Sequence, residues 1–155
     1  MSITEIEQTI EDFAAAAERC QKAGFDGIQI HAAHGYLISA FLTPHTNRRK
    51  DNFGGSLTNR MRLLLETYRA VRRRVGPDFP VIMKINGSDE LPLRRGIPTA
   101  DLVTVTKMLE DEGLDAVEIS VGHYESGTTF SRARWNGFTK RMATVGAGKK
   151  HEFSA

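Results

Sequence analysis

The sequence predicts an α/β fold, a partial (β/α) TIM barrel with about three of the usual eight βα units. Two observations favour a barrel over an open sheet. Helical segments alternate with short strands, and each strand has one apolar face while its other face turns polar toward its C-terminal end. Central strands of doubly wound sheets read as apolar on both faces, whereas barrels carry their chemistry at the C-terminal ends of the strands. A closed barrel needs about 250 residues, so 155 residues predict only a barrel segment.

The first unit is a helix followed by a strand. Apolar residues at helical spacing predict the helix over residues 4–23. Thr4 and Glu7 form a capping-box pattern at its start, and Gly24 suits a left-handed position at its end. A short strand is predicted over 28–31. The spaced apolar residues are Ile6, Ile10, Phe13, Ala17 and Cys20.

The second unit begins after a long connection, residues 32–55, for which no regular structure is predicted. Ser56 is a good N-cap for a helix over 57–75. Gly76 ends this helix, and a strand is predicted over 81–86. The helix is expected to bury a stripe made of Met61, Leu64, Leu65, Tyr68, Val71 and Val75.

The third unit repeats the scheme. Pro98 opens a helix, Gly113 closes it, and a strand follows over 116–120. Segments 23–31 and 112–120 are the same helix end, turn and strand. Helix alternating with strand in this way implies parallel strands with right-handed crossovers.

The regular pattern ends near residue 122. Residues 1–122 are therefore predicted to be the barrel segment, and 123–155 a long loop followed by a poorly ordered tail. A short helix over 139–144 is compatible with the sequence. Gly146-Ala147-Gly148 follows no strand, so it is interpreted as tail rather than as a phosphate-binding loop.

Composition restricts the classes of partner. A formal net charge of +2 gives no reason to expect a nucleic-acid or membrane partner. The run Arg72-Arg73-Arg74 ends a predicted helix, where its charge complements the helix dipole better than it marks a phosphate-binding patch. Cys20 is the only cysteine, expected to be a small buried residue. Without a leader-like segment or a membrane-length apolar run, we expect a soluble, cytoplasmic protein.

The densest polar cluster is His31-Ala32-Ala33-His34-Gly35-Tyr36, directly after the first strand. Two imidazoles there can donate hydrogen bonds to one oxygen, while Tyr36 gives a proton to a neighbouring carbon. An alternative is structural, with His31 capping the strand and Tyr36 packed under the loop. Another is a metal site, although His45 and Asp51 in the same loop follow no standard metal-ligand spacing.

Two long strings carry a family resemblance. Residues 23–37 read AGFDGIQIHAAHGYL, and residues 41–56 read FLTPHTNRRKDNFGGS, followed by Asn59-Arg60. Together they resemble the Old Yellow Enzyme family, over about residues 13–122. The resemblance implies an FMN-binding (β/α)₈ barrel, with NAD(P)H as reductant. It also implies small-molecule substrates with activated C=C bonds, such as α,β-unsaturated carbonyls, or nitro compounds.

The resemblance also implies roles for single residues. His31 and His34 match the pair that hydrogen-bonds the carbonyl or nitro oxygen of the substrate, the second place being Asn or His in the family. Tyr36 matches the proton donor to the α-carbon. Lys84 matches the cationic position beside the flavin, where a cation stabilises the charge of the reduced ring. Without the resemblance, Lys84 would be interpreted as a lysine whose stem lines the barrel and whose amine reaches solvent.

The remaining motif residues are expected to be structural. We expect Arg48, Arg49 and Asp51 to form ion pairs that organise the loop, and Asn59 and Arg60 to belong to the first turns of the following helix.

Other parts of the family's barrel have no counterpart in the sequence, namely the strands that supply further flavin contacts and the phosphate site. This leaves a second hypothesis, a non-catalytic half-barrel that self-associates, or pairs with the missing barrel part, without tight FMN binding. Exposed sheet edges favour such pairing. A metal-dependent (β/α) hydrolase is a third, weaker reading, and we predict no metal site.

Overall fold

A computed structural model describes residues 1–91 and 96–126. Its strands form one parallel sheet in the order β1-β2-β3, so the predicted alternation of helices with three parallel strands is confirmed. The elements are α1 (Ile3–Lys22), β1 (Ile28–Ala32), α2 (Leu37–Leu42), α3 (Leu57–Arg60), α4 (Arg62–Val75), β2 (Val81–Ser88), α5 (Thr99–Asp111) and β3 (Ala116–Val121).

Part of the expected C-terminal tail can be compared with the structure. The described chain continues past β3 into a short turn, where the Ser126 N–H donates to the carbonyl of His123 at 2.8 Å. The predictions of a tail over the remaining residues, of a helix at 139–144 and of an irregular 146–148 lie outside the described residues. Within the described ranges, no helix has the length and apolar character that a membrane span requires.

The core lies between one face of the sheet and the helices. Val81, Met83 and Ile85 of β2 are fully buried on this side, which is called the covered face below. These three residues share this face because side chains alternate along a strand, so that every second residue of β2 points toward the helices. The predicted stripe of the second helix is buried throughout and packs into the same core.

Helix α1 starts earlier than predicted. Its capping box is formed by Ser2 and Glu5 rather than by Thr4 and Glu7. The Ser2 hydroxyl accepts the N–H of Glu5 at 3.2 Å, and the Glu5 carboxylate accepts the N–H of Ser2 at 2.6 Å. The expectation for Cys20 was also wrong, because this side chain is only half-buried and Ala14 and Ala17 occupy the centre of the stripe.

The connection 32–55 contains a helix that the sequence prediction missed. Helix α2 has Tyr36 as its N-cap residue, which makes no side-chain capping bond. Without a capping signal and with only six residues, the segment resembles an irregular loop in sequence. It forms because its apolar side chains, Ile38 and Leu42 among them, are buried in the core.

The helix predicted over 57–75 is divided at Met61 into α3 and α4. Ser56 caps α3 as predicted, since its hydroxyl accepts the N–H of Asn59. Gly76, with φ of 82°, ends α4 in a conformation that favours glycine. The prediction of a helix that starts after Ser56 and stops at Gly76 is therefore confirmed, with one interruption.

Arg72 organises the edge of the sheet where the strands begin. Its guanidinium donates to three carbonyls, those of Gly76, Pro77 and Phe79, and pairs with Asp115. A planar guanidinium with several donors suits such a cluster of acceptors. This arginine therefore closes the end of α4, in agreement with a helix-end role for the basic run.

Candidate active site at the carboxyl ends of the strands

Because the strands are parallel, their carboxyl ends meet at one edge of the sheet. We call this edge, with loops 33–36 and 122–124, the rim. Next to it, His31 of β1, Lys84 of β2 and Glu118 of β3 stand side by side in register. They lie opposite the covered face, on what we call the open face, which is made up of Gln29, His31, Ile82, Lys84 and Glu118.

The structure brings the three predicted catalytic residues together. The ring centroids of His31 and His34 lie 5.3 Å apart, and those of His31 and Tyr36 lie 5.4 Å apart. Tyr36 remains 51% exposed, so it is not packed under the loop as the structural alternative expected. Two imidazoles and a phenol therefore share one accessible patch of the rim.

A left-handed turn makes this grouping possible. His34 and Gly35 are consecutive residues with positive φ, 63° and 80°. Such a conformation is uncommon for a histidine, so surrounding contacts must stabilise it. The N–H of His34 donates to the Asn86 side-chain oxygen at 3.1 Å, and its carbonyl accepts the N–H of Tyr124 at 3.0 Å. Both polar groups of the His34 backbone are thereby held, one by β2 and the other by the loop that follows β3.

Asn86 connects the ends of all three strands. It is 3% exposed, and its amide nitrogen donates to Asp89 at 2.9 Å and to the carbonyl of Gly122 at 2.8 Å. Its oxygen takes the His34 N–H described above, so both ends of this amide are hydrogen-bonded. Buried amides of this kind fix geometry, because a lost partner leaves a polar group unsatisfied.

Gly35 is required for space as well as for conformation. A Cβ at this position would lie 2.3 Å from Nε2 of His123, a residue with no exposed surface. The Gly35 N–H also donates to the Ser39 hydroxyl at 3.1 Å, which joins the turn to α2. Any larger residue would push the turn away from His123 and shift His34 and Tyr36 with it.

The environment keeps the site imidazoles neutral near neutral pH. Burial lowers the pKa of His34, and the nearby His31 and Lys84 lower it further. Burial also lowers the pKa of His31, with Lys84 again contributing in the same direction and Glu118 opposing it. A neutral imidazole offers one donor and one acceptor nitrogen. The pair can therefore donate hydrogen bonds to a substrate oxygen without carrying full charges.

Lys84 is paired rather than simply solvent-exposed. Its ammonium lies 3.0 Å from the Glu118 carboxylate, with the lysine side chain 25% exposed. Gln29 donates to the same carboxylate at 2.5 Å. Hydrogen bonds from Lys84 and then Gln29 lower the pKa of Glu118. The open face thus presents a cation and a carboxylate side by side in register, with the Gln29 amide bonded to the same carboxylate.

The loop before α3 is organised largely as expected. Arg49 pairs with Asp51 at 2.6 Å. The expectation failed for Arg48, which is exposed and takes part in none of the ion pairs found among residues 1–91 and 96–126. Arg60 has the structural role predicted for it, since it is buried and pairs with Asp101 at 2.7 Å.

Asn59 also serves the loop, since its amide donates to the carbonyl of Gly54 at 3.1 Å. His45 contacts Glu125 at 3.1 Å, whereas Asp51 pairs with Arg49. Within the described part of the chain, no group of three or more side chains is arranged to hold a metal ion.

Four residues of the rim were missed by sequence reasoning. Asn86 and Ser120 fall on the polar faces of their strands, but alternation alone does not show which groups they meet. His123 and Tyr124 lie beyond the last predicted strand, in a segment interpreted as a loop. Tyr124 is 54% exposed, and its ring centroid lies 6.4 Å from that of Tyr36.

Comparison with known proteins gives a consistent result. A family model, described as the NADH:flavin oxidoreductase / NADH oxidase family, matches residues 1–150. An NADH oxidase of Thermoanaerobacter brockii is 43% identical over 129 residues, which are 83% of this chain and 20% of that protein.

Solved structures are similar in fold as well as in sequence. A 2-naphthoyl-CoA reductase in complex with 2-naphthoyl-CoA matches with a TM-score of 0.78 and 37% identity, over 81% of this chain and 19% of that one. An Old Yellow Enzyme homologue of Zymomonas mobilis matches with a TM-score of 0.68 and 31% identity, over 78% of this chain and 34% of that one. The resemblance and the fold class read from the sequence are confirmed. The chain spans a fifth to a third of the length of these proteins.

Proposed function

Because the chain belongs to the NADH:flavin oxidoreductase / NADH oxidase family, we propose that its rim is the substrate-oxygen clamp and proton donor of an Old Yellow Enzyme-type reductase. The proposed cofactor is FMN, and the proposed reductant is NAD(P)H. The proposed substrates are α,β-unsaturated carbonyls or nitro compounds. With Cys20 as its only cysteine, a reducing, cytoplasmic location suits the protein.

The observation that carries this proposal is the grouping of His34 and Tyr36 around His31, with ring centroids 5.3 and 5.4 Å from that of His31. When an activated C=C bond is reduced, negative charge develops on the conjugated oxygen. Hydrogen bonds from His31 and His34 stabilise that charge. The exposed phenol of Tyr36 then supplies the proton that the α-carbon requires.

The open face offers groups that suit FMN. Lys84 places a cation in register with His31, one strand away. The Gln29 amide lies on the same face. When bound, FMN supplies the hydride, and a cation near its pyrimidine edge stabilises the reduced form. Glu118 now takes the Lys84 ammonium, so holding FMN requires Lys84 to share or exchange that partner.

Completion of the site requires further strands. In the described chain, β1 and β3 are the outer strands of the sheet, each with one unpaired edge. We place the missing barrel part against these edges. The same edges favour the alternative function, a non-catalytic unit that self-associates through them without tight FMN binding.

Flavin retention distinguishes the two. The purified chain is mixed with excess FMN, freed of unbound flavin and examined by visible absorption. Retained colour with a perturbed flavin band is expected, and Lys84→Gln should weaken retention more than tenfold. Lys107→Gln, at an exposed position on α5, is the matched control. A colourless protein that elutes as an oligomer in gel filtration would favour the alternative.

The proton donor is tested separately in a flavin-loaded preparation. Tyr36→Phe should slow enone reduction by roughly a hundredfold or more, while flavin reduction by NAD(P)H keeps its rate. Tyr124→Phe removes a neighbouring phenol and serves as control. If Tyr36→Phe leaves enone reduction unchanged, Tyr36 is not the donor.

A further inference from the structure

The Ser120 hydroxyl contacts an identified nitrogen of the His34 ring. The Ser120 hydroxyl oxygen, near the end of β3, lies 2.7 Å from Nε2 of His34. We infer that Ser120 is a positioning residue that donates its hydroxyl hydrogen to Nε2. It thereby fixes the proton of His34 on Nδ1 and makes that nitrogen the hydrogen-bond donor of the ring.

The direction of the hydrogen bond follows because the Ser120 hydroxyl hydrogen requires an acceptor. A serine hydroxyl has one hydrogen to donate. Within the described part of the chain, the hydrogen bond to His34 is the one that the Ser120 side chain makes. If His34 donated from Nε2, the Ser120 hydrogen would have no hydrogen-bond acceptor among the described residues. Donation from Ser120 to Nε2 satisfies the hydroxyl and the ring nitrogen together.

The ring must be neutral for this arrangement, since an imidazolium has no acceptor nitrogen. Burial lowers the pKa of His34, and the neighbouring His31 and Lys84 lower it further against the opposing charge of Glu118, which favours the neutral ring near pH 7. The backbone of His34 is also held on both sides, by Asn86 and by Tyr124. A fixed backbone keeps Nε2 within reach of Ser120, which itself sits in a strand.

The consequence for the reaction rests on the proposed function. In an oxygen clamp, the second imidazole must present an N–H, and a histidine with a mixed tautomer would present it only part of the time. Ser120 removes this mixture before any ligand binds. The tautomer itself depends only on hydrogen bonds within this chain, so it is testable without flavin or substrate.

The test is a long-range ¹H–¹⁵N correlation spectrum of the imidazoles in the full chain near neutral pH. In the unsubstituted protein, Nε2 of His34 should resonate as an unprotonated nitrogen and Nδ1 as a protonated one. Ser120→Thr and Ser120→Val give a matched pair, because the two side chains have the same shape and only threonine keeps the hydroxyl.

Threonine should preserve the Nδ1–H tautomer, whereas valine should change the ratio of tautomers roughly five- to tenfold toward Nε2–H. Ser88→Ala is the control, since the Ser88 hydroxyl contacts the N–H of Glu90 and not His34. A purely structural role would disturb the backbone amide signals of both Ser120 variants without changing the tautomer.

An Nε2–H tautomer in the unsubstituted protein would overturn the inference, as would identical tautomer ratios in the threonine and valine variants. The unsubstituted spectrum decides the question even if the valine variant does not fold. A protein that binds no FMN but shows Nδ1–H would contradict the proposed function alone. An active reductase with Nε2–H would contradict this inference alone.

Discussion

The covered face of the sheet carries buried apolar side chains and the open face carries mainly polar ones, although successive residues of the same strand supply the two faces. In β2, Met83 and Ile85 have no exposed surface, while Lys84 between them pairs with Glu118 on the side away from the helices. The covered face is packed by helices of this chain. The open face has its polar groups in register but leaves His31 and Glu118 exposed.

The two faces therefore have different roles: one stabilises the fold, and the other carries the candidate site. Burial of apolar side chains on the covered face stabilises the fold. The proposed chemistry depends on the open face and the rim, where hydrogen bonds rather than packing fix the geometry. A substitution should therefore affect stability or site geometry according to the face on which it lies.

The largest effect is expected from the covered face. Met83→Ala should lower the free energy of unfolding by about 2–5 kcal/mol, because it leaves a cavity in a packed core. Its neighbour Ile82 is only half-buried on the open face, so Ile82→Ala should cost distinctly less. Urea denaturation followed by circular dichroism measures both. Equal costs would mean that the open face is itself covered, as in a self-associated form.

The next test addresses the rim. Gly35→Ala should lower the unfolding free energy by about 1–2 kcal/mol for the left-handed conformation and by about 1–3 kcal/mol more for the clash with His123. Gly55→Ala is the matched control, because Gly55 has φ of 82° and nothing within 4 Å of a Cβ. Its cost isolates the conformational part.

Chemical shifts of His34 and Tyr36 report whether the turn has moved. Large shifts in the Gly35 variant and none in the Gly55 variant are expected. Equal costs for the two glycines would show that His123 gives way easily and that the close approach does not define the turn.

A smaller effect is expected from the open-face ion pair. Glu118→Gln should change the unfolding free energy by less than about 1 kcal/mol, because ion pairs between exposed side chains contribute little. Glu112→Gln provides the comparison on the helix side, where Glu112 pairs with Arg69 at the surface. A much greater cost for Glu118 than for Glu112 in the same urea experiment would show that solvent does not reach the open face.

The mildest perturbation is a change of pH. Burial lowers the pKa of His34 and His123 below the ordinary value of 6.5. The unfolded chain therefore binds more protons, so the unfolding free energy should fall as pH decreases through and below about 6.5. His34→Asn should reduce this dependence. Thermal denaturation between about pH 5.5 and 7.5 measures it, and a flat profile would contradict the assigned pKa directions.

Sequence reasoning succeeded where a local pattern determines the outcome. Alternation predicted one apolar face for each strand, and Met83 and Ile85 of β2 form that buried face. The chain order placed His31 at the end of a strand. Sequence patterns did not predict contacts that depend on which strands are neighbours in the sheet. The contact of Lys84 with Glu118 requires the register of β2 and β3, which alternation does not contain.

The rim shows the same limit. Asn86 falls on the polar face that alternation gives β2. Its hydrogen-bond partners His34 and Gly122, however, lie 52 and 36 positions away along the chain, which alternation does not predict. Helix α2 was missed because Tyr36 provides no side-chain cap, so only burial in the folded protein explains it. The positions of single residues along the strands were therefore predictable, and the contacts that hold them in place were not.

The backbone contacts of His34 have a consequence for how such a site can change over time. Asn86 accepts the N–H of His34, and the N–H of Tyr124 donates to its carbonyl. Neither hydrogen bond involves the His34 side chain. The turn can therefore keep its backbone conformation when His34 is replaced by another residue that tolerates a left-handed conformation, asparagine above all. A lineage can exchange one hydrogen-bonding side chain for another here by a single substitution and keep the same scaffold.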